Sequence, residues 1–306
     1  MNGGIGMREK RVLNFGSLNL DYVYRVDHFV RPGETLSADA RVVKYGGKGL
    51  NQSVALARAG VRAAHAGCVG AGGEGLRALL DGEGVDTSKL VAVEEMQGHT
   101  VIQVNREGEN CILLYGGSNQ CVTPEQIAAT LADCAAGDWL VLQNEINNLP
   151  AIVDAACEKG MTIALNPSPC DGRLDAVDFG KLSWLLMNEV EAGQITGSED
   201  PGEAWRRLHG RWPGLSALIT LGSAGSVAFR VTGEGIETAR QEAFRVRAVD
   251  TTAAGDTYTG YFIAGLMSGM PLQDCMRRAS RASSISVTRL GAADSIPFQA
   301  ELNEEA

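Results

Sequence analysis

Trp139-Leu140-Val141-Leu142-Gln143, then Pro150 to Lys159, then Met161-Thr162-Ile163-Ala164-Leu165-Asn166 take the chain from an apolar run of strand length through a helical run into a second apolar run. Runs so short and so apolar suit strands covered on both faces, and a helix between two of them makes the crossover of a parallel pair. The rhythm extends in both directions. Downstream lie strand patterns at Trp184 to Met187 and Leu215 to Leu221, with helical patterns at Glu189 to Ile195 and Gly202 to His209. Upstream, Arg11 to Ser17 opens as a strand, Gly49 to Ala59 reads as a helix, Arg62 to Val69 as a strand and Pro124 to Cys134 as a helix. The predicted class is α/β, with a mostly parallel central sheet and helices on both faces.

Two regions break this rhythm. Tyr22 to Phe29 with Thr35 to Tyr45, and His99 to Asn105 with Asn110 to Tyr115, alternate at period two around turns such as Arg106-Glu107-Gly108-Glu109. They predict a small antiparallel sheet, inserted at about 18–45 and 97–118 into a single domain spanning 1–306. Near the ends of the parallel strands such a sheet is expected to act as a lid that excludes water from a transfer reaction, with an edge meander as the plainer reading.

A net charge of -10 and a pI near 5.0 argue against a nucleic-acid or anionic-membrane surface and favour small-molecule chemistry. The seven cysteines are odd in number, scattered and without a Cys-x-x-Cys pair, so they read as reduced, mostly buried thiols. Met1 to Lys10 has no hydrophobic targeting core, no later run reaches about 18 uninterrupted apolar residues, and the expected location is cytoplasmic. Gly3, Gly4 and Gly6 read as a loose tail, with Met7 as an alternative start.

The most informative chemistry lies in Asp250-Thr251-Thr252-Ala253-Ala254-Gly255-Asp256, which runs straight into the apolar segment Thr257 to Gly269. Small residues let backbone N–H groups converge, and the helix that follows aims its positive end at the same point, which makes an anion trap. A carboxylate inside the trap repels an anion but serves a reaction in which it takes a proton from a hydroxyl. Asp256 alone would equally be an ordinary helix cap; the whole stretch points to phosphoryl transfer.

Gly46-Gly47-Lys48-Gly49-Leu50-Asn51 brings a cation and an amide to a backbone that a ligand can approach closely, yet it fails as a Walker A loop because Gly49 follows Lys48. Asn19 and Asp21 sit just past the first strand, and Glu145 follows a buried one, so with Lys48 and Asn51 they could read a polyol. Asn188 and Glu191 put an amide and a carboxylate on one helical face, suited either to Mg²⁺ with nucleotide phosphates or to a helix cap. Thr220 to Gly225 ends an apolar strand with small residues, a shape open to a nucleotide or simply a hairpin turn. Gly70-Ala71-Gly72-Gly73-Glu74-Gly75 literally matches G-x-G-x-x-G, with Glu94 and Glu95 near the expected distance, but the loop reading is preferred over a nicotinamide site.

Together these segments resemble the PfkB carbohydrate kinases, and within that family the ribokinase branch. The resemblance runs through Gly16 to Asp21, Pro32 to Thr35, Gly46 to Asn51, Leu165-Asn166-Pro167, Asn188 to Glu191, Thr220 to Gly225 and Asp250 to Asp256. It implies a three-layer ribokinase-like (Rossmann-like) sandwich with a β-lid that also forms a homodimer interface. It implies, too, ATP-dependent phosphorylation of the 5-hydroxyl of D-ribose to D-ribose 5-phosphate, without nucleic-acid or membrane partners.

Carried over by position, Asn19, Asp21, Gly47, Lys48, Asn51 and Glu145 would hold the sugar, and Asp256 would deprotonate it. The backbone of Ala253, Ala254, Gly255 and Asp256 would form the anion hole. Asn188, Thr220, Gly222, Ser223, Gly225, Gly255 and Ser280 would meet ATP, and Asn188 with Glu191 would arrange Mg²⁺. Asp250, Thr252, Ser286, Arg289, Gly291 and Ser295 fall at the positions of a monovalent-cation site, usually filled by K⁺.

Three departures bear on the sugar. Gln103 stands where the family tends to be apolar, Asn144 precedes Glu145, and the Gly70 to Gly75 loop lacks its customary aspartate. A polar Gln103 or Thr100 near the pocket would favour another polyol. The alternatives are accordingly a deoxyribokinase, fructokinase or nucleoside kinase, or a non-catalytic sugar-binding regulator on the same fold.

Overall fold

The computed structural model describes residues 10–303; the glycine tail and Met7 lie outside the described residues. In chain order the strands are β1 (Val12–Phe15), β2 (Asn19–Arg25), β3 (Ala40–Gly46), β4 (Ala63–Ala71), β5 (Asp86–Met96), β6 (His99–Val104), β7 (Asn110–Tyr115), β8 (Trp139–Gln143), β9 (Thr162–Asn166), β10 (Trp184–Asn188), β11 (Ser216–Thr220), β12 (Ser226–Thr232) and β13 (Gly235–Gln241). The helices are α1 (Lys48–Arg58), α2 (Glu74–Gly82), α3 (Pro124–Leu131), α4 (Leu149–Glu158), α5 (Glu189–Thr196), α6 (Pro201–Arg211), α7 (Ala254–Met267) and α8 (Leu272–Ser286).

Nine strands form one sheet in the order β13-β12-β11-β10-β9-β8-β1-β4-β5. It is parallel from β11 to β5, and only β12 runs the other way, pairing antiparallel with both β11 and β13. Alternate residues of its central strands feed two separate cores. Val12, Val141, Ala164, Leu186 and Leu218 meet the helices on one face, including α1, α7 and α8. Leu13, Leu140, Ile163, Leu185 and Ala217 meet α3, α4 and α6 on the other. Helices covering both faces explain why these strands read as unbroken apolar runs.

The second sheet has the order β3-β2-β6-β7 and is drawn from the two inserted segments. One expectation is corrected here. Each segment folds as an antiparallel hairpin, but β2 and β6 pair in parallel, so the sheet is mixed rather than antiparallel. Both strands leave the large sheet in the same direction, which puts them side by side with one polarity. The β2 strand also begins at Asn19, and β3 begins at Ala40 rather than Thr35. All seven cysteines are free, yet only Cys68 and Cys275 are buried. The expectation of mostly buried thiols fails at Cys111, on the outer strand β7 of the small sheet, whose residues are all exposed. Among the described residues no helix is long and apolar enough to cross a membrane.

Candidate active site

The chain leaves β1 for β4 on one side and later returns with β8 on the other, so strand order reverses at β1. A crevice opens beyond the carboxyl ends of strands at such a point, and β2, the start of α1, the turn after β8 and the start of α7 all project into it. Asn19 is buried and its Oδ1 accepts from Asn119 Nδ2 at 2.7 Å, which turns its own amide nitrogen outward to other acceptors. Asp21 Oδ1 accepts from Thr100 Oγ1 at 2.6 Å. A Cβ on Gly46 would stand 2.1 Å from Asp21 Oδ2, so glycine is what leaves that carboxylate room. Gly47 caps α1 with φ of 93°, a left-handed conformation that glycine adopts without strain.

Beside them Glu145 Oε2 accepts from Lys48 N at 3.0 Å and from the Ser17 hydroxyl. Burial pushes the Glu145 carboxyl above its usual value, opposed by the Lys48 charge and the Ser17 and Lys48 hydrogen bonds. Burial likewise raises Asp21, against the Thr100 hydrogen bond and with added repulsion from Glu145. For Lys48 burial works downward, but Asp256, Glu145 and Glu191 together hold the ammonium above the ordinary lysine value. Two desolvated carboxylates and one cation therefore face the crevice, a set that gains from hydroxyl groups able to donate to the acids.

Asp256 lies in the first turn of α7 with 7% exposure. Asn51 Nδ2 donates to its Oδ2 at 3.0 Å, and Gln52 Nε2 donates to its Oδ1 at 2.9 Å. Asn51 Oδ1 is buried without a partner, an acceptor waiting for a hydroxyl beside the carboxylate. Ala253 precedes the helix at φ 60°, a left-handed conformation that a side chain adopts at a cost of about 1–3 kcal/mol and that clusters at functional sites. Its carbonyl accepts from Thr257 N, while Ala254 N reaches back to Thr251 O at 3.3 Å. The N–H groups of Gly255 and Asp256 have no backbone partner among the described residues, as the first turn of a helix requires of an anion trap.

On the other side of this turn lies a cavity of about 660 Å³ lined by Asn188, Thr220, Gly222, Ser223, Gly225, Gly255 and Ser280 among others. Phe244, Val246, Ala248 and Val287 give it an apolar wall. Tyr258, also in the lining, shares a hydrogen with Ser226 Oγ at 2.7 Å, which fixes its ring. Thr220 to Gly225 is both things its sequence allowed: the turn between antiparallel β11 and β12, and part of the cavity rim. Asn188 and Glu191 form a reciprocal capping box at 2.8 and 3.0 Å, which still leaves Glu191 Oε1 and the Asn188 amide nitrogen uncommitted.

Among the described residues no group of three or more acidic, His or Cys side chains could cage a metal. Glu191 is a hard oxygen donor of the kind that suits a small divalent ion held chiefly by water and phosphate. Of the monovalent-cation positions, the structure draws Asp250, Thr252, Gly291 and the end of α8 together. Asp250 Oδ1 accepts from Thr252 N at 2.9 Å and Oδ2 from Gly291 N at 3.0 Å, and Asp250 N donates to Val287 O, next to Ser286. Burial would raise this carboxyl, but the hydrogen bond from the Thr252 hydroxyl, with those from Gly291 N and Thr252 N, prevails and lowers it. Ser286 Oγ, Ser295 Oγ and the Arg289 guanidinium are turned to Ser283 O, Ala292 O and Glu301, leaving their backbone oxygens as candidate ligands.

Several sequence expectations are refined. The Gly70 to Gly75 segment, expected as a loop, is the end of β4, a short turn and the start of α2. Its Gly70 N donates to Gln97 Oε1, and Gln97 Nε2 donates to Leu18 O, so a side chain from the β5–β6 connection packs into this turn. Gln103 Oε1 accepts from Val30 N at 3.0 Å and thereby ties down the loop after β2. Asn144 Nδ2 donates to Pro169 O and Asp171 Oδ1, while its Oδ1 is buried without a partner. Sequence reasoning missed Ser17, Gln52 and Asn119. Ser17 and Gln52 adjoin residues that were chosen, and a helical count from Lys48 would have carried Gln52 into the site; Asn119 has no local signal.

The description "pfkB family carbohydrate kinase" matches residues 9–299. The chain belongs to the PfkB family of carbohydrate kinases. It is 34% identical over 306 residues to the ribokinase of Haemophilus influenzae, covering 96% of this chain and 98% of that relative. Among solved PfkB structures, a ribokinase from Cryptococcus neoformans in complex with ADP is 33% identical with a TM-score of 0.80, covering 96% of this chain and 98% of its own. An Arabidopsis thaliana ribokinase complexed with ribose and ATP is 26% identical with a TM-score of 0.82, covering 96% and 97%. Membership makes the chain a phosphotransferase with an alcohol acceptor, on a three-layer α/β fold.

Proposed function

We propose that the protein transfers the γ-phosphoryl group of ATP to the 5-hydroxyl of D-ribose, giving D-ribose 5-phosphate and ADP. The observation that carries this reading is Asp256, gripped by two amides at a helix start between a hydroxyl-seeking crevice and a 660 Å³ cavity. Relatives that are ribokinases, one holding ribose and ATP, support the choice of sugar. Asn19, Asp21, Gly47, Lys48, Asn51 and Glu145 hold the sugar, with its 5-hydroxyl directed at Asp256.

In the transfer the hydroxyl oxygen forms a bond to the γ-phosphorus, the bond from that phosphorus to the bridging β-oxygen breaks, and the hydroxyl proton passes to Asp256. The free N–H groups of Gly255 and Asp256, with Lys48 nearby, stabilise the charge spread over the moving phosphoryl oxygens. Mg²⁺, when bound, neutralises phosphate charge beside Glu191. K⁺ at the Asp250 site would hold the loop that shapes the anion trap. The small sheet acts as the lid and as the contact of a homodimer, and the protein works in the cytoplasm.

Replacing Asp21 by Asn removes a charge-assisted hydrogen bond to the sugar. The KM for ribose should rise roughly 10- to 100-fold while the KM for ATP stays put; an unchanged KM for ribose would remove Asp21 from the sugar site. The function itself is tested by initial-rate ADP release from Mg-ATP across ribose, 2-deoxyribose, fructose, adenosine and pseudouridine, each with K⁺ or Na⁺ at equal ionic strength. Turnover fastest on ribose and stimulated by K⁺ is the expected outcome. Preference for another acceptor would keep the kinase and replace the sugar; equal rates in the two salts would overturn the cation site.

A further inference from the structure

Behind Asp256 runs a line of buried polar side chains that neither ligand needs to touch. Gln52 Nε2 donates to Asp256 Oδ1 at 2.9 Å, and Gln143 Nε2 donates both to Gln52 Oε1 at 2.7 Å and to Asn14 Oδ1 at 2.9 Å. Asn14 Nδ2 donates to Gly49 O at 2.6 Å and to Ser53 Oγ at 2.8 Å, and Ser53 Oγ lies 2.7 Å from His65 Nδ1. All five side chains are fully buried, at 0% exposure. Apolar residues would fill this space between α1 and the sheet without desolvating any polar group, so the line calls for a reason beyond packing.

Its direction is dictated from both ends. A carboxylate only accepts, so Gln52 must turn its nitrogen to Asp256 and its oxygen to Gln143. A carbonyl only accepts, so Asn14 must turn its nitrogen to Gly49 and its oxygen to Gln143. Gln143 is then bound to donate twice, its Oε1 left buried without a partner, while Ser53 Oγ accepts from Asn14 and meets His65 Nδ1, whose imidazole is neutral. Complete burial agrees, pushing His65 down to about 4.

We infer that Gln52, held by Gln143 and Asn14, is a positioning residue for Asp256, fixing the rotation of its carboxylate. The inference rests on Asp256 as the proton acceptor. The charged groups facing Asp256 are Lys48 of α1 and Glu145 after β8, and Glu191 of α5 acts through Lys48. Asp250, on the same loop, spends its oxygens on Thr252 and Gly291. His65 of β4 stands at the neutral far end.

The test is the pH profile of kcat for ribose in Gln52→Met, which removes the donor at nearly constant length. We expect kcat to fall about tenfold or more from misplacement of the base, with the KM for ATP unchanged. The acid limb should move to higher pH, because a carboxylate deprived of a donor holds its proton more tightly. Gln52→Glu, which sets a second carboxylate against the first, should move the limb further, and Gln143→Met should move it the same way by less. Asp256→Asn is assayed alongside. Turnover surviving in Asp256→Asn would overturn the proton-acceptor reading. Loss there, with a native kcat and an unmoved limb in Gln52→Met or in Gln143→Met, would overturn the relay alone.

Discussion

Asp256→Asn should lower kcat by roughly 10²–10⁴-fold, the contribution of a positioned general base, while ADP binds as it does to the unaltered protein. Volume and location are conserved, and the free N–H groups of the α7 first turn remain, so the anion trap survives without its proton acceptor. The substitution carries one structural cost. Asn51 and Gln52 both donate to the present carboxylate, and an amide can turn an oxygen to only one of them. The other nitrogen would face a second donor, so the variant should also unfold somewhat earlier. Turnover and ADP affinity measured on protein shown to be folded separate the two effects. A kcat within a few-fold of the parent would end the assignment of Asp256 as base.

Gly260→Val should be strongly destabilising although the position is remote from any ligand. A Cβ on Gly260 would lie 2.4 Å from Ala55 Cβ and 2.9 Å from the Ala55 carbonyl carbon and Leu56 N, with backbone unable to yield cheaply. The glycine lets α7 press directly on α1, and both helices carry the groups that meet at Asp256. Overpacking of this kind costs about 1–3 kcal/mol and occasionally more. Urea unfolding should show a lower midpoint with an unchanged slope, and the forced separation should depress kcat in the protein that remains folded. A midpoint equal to the parent's would mean that the helices can part freely.

The parallel core was legible because burial on both faces leaves a uniform imprint: Trp139 to Gln143 could be little else than a central strand, and it is one. The small sheet was legible from period-two alternation, but its β2–β6 polarity was not, because pairing between distant hairpins leaves no trace in either strand. Asn19, Asp21, Lys48 and Asn51 were singled out because they follow recognisable strand and loop ends. Gln52, Gln143 and Asn14 escaped since each sits inside a regular element, where a polar residue looks like a lapse of the pattern until the partner from another element is seen. The wall of Phe244 and Val246 escaped for the opposite reason, lying in a stretch without periodicity.

Asp21, Thr100 and Gly46 belong to the small sheet, whereas Thr220, Ser223, Phe244 and Ser280 belong to the nine-stranded sheet and the segments around it. Under the proposed function the acceptor is read by β2 and β6 together with Lys48, Asn51 and Glu145, the phosphoryl donor by the segments around Thr220, Phe244 and Ser280, and the two meet at the Asp256 turn. Such a division lets one half change its clientele through a few substitutions in β2 and β6 while the other keeps its single, universal supplier.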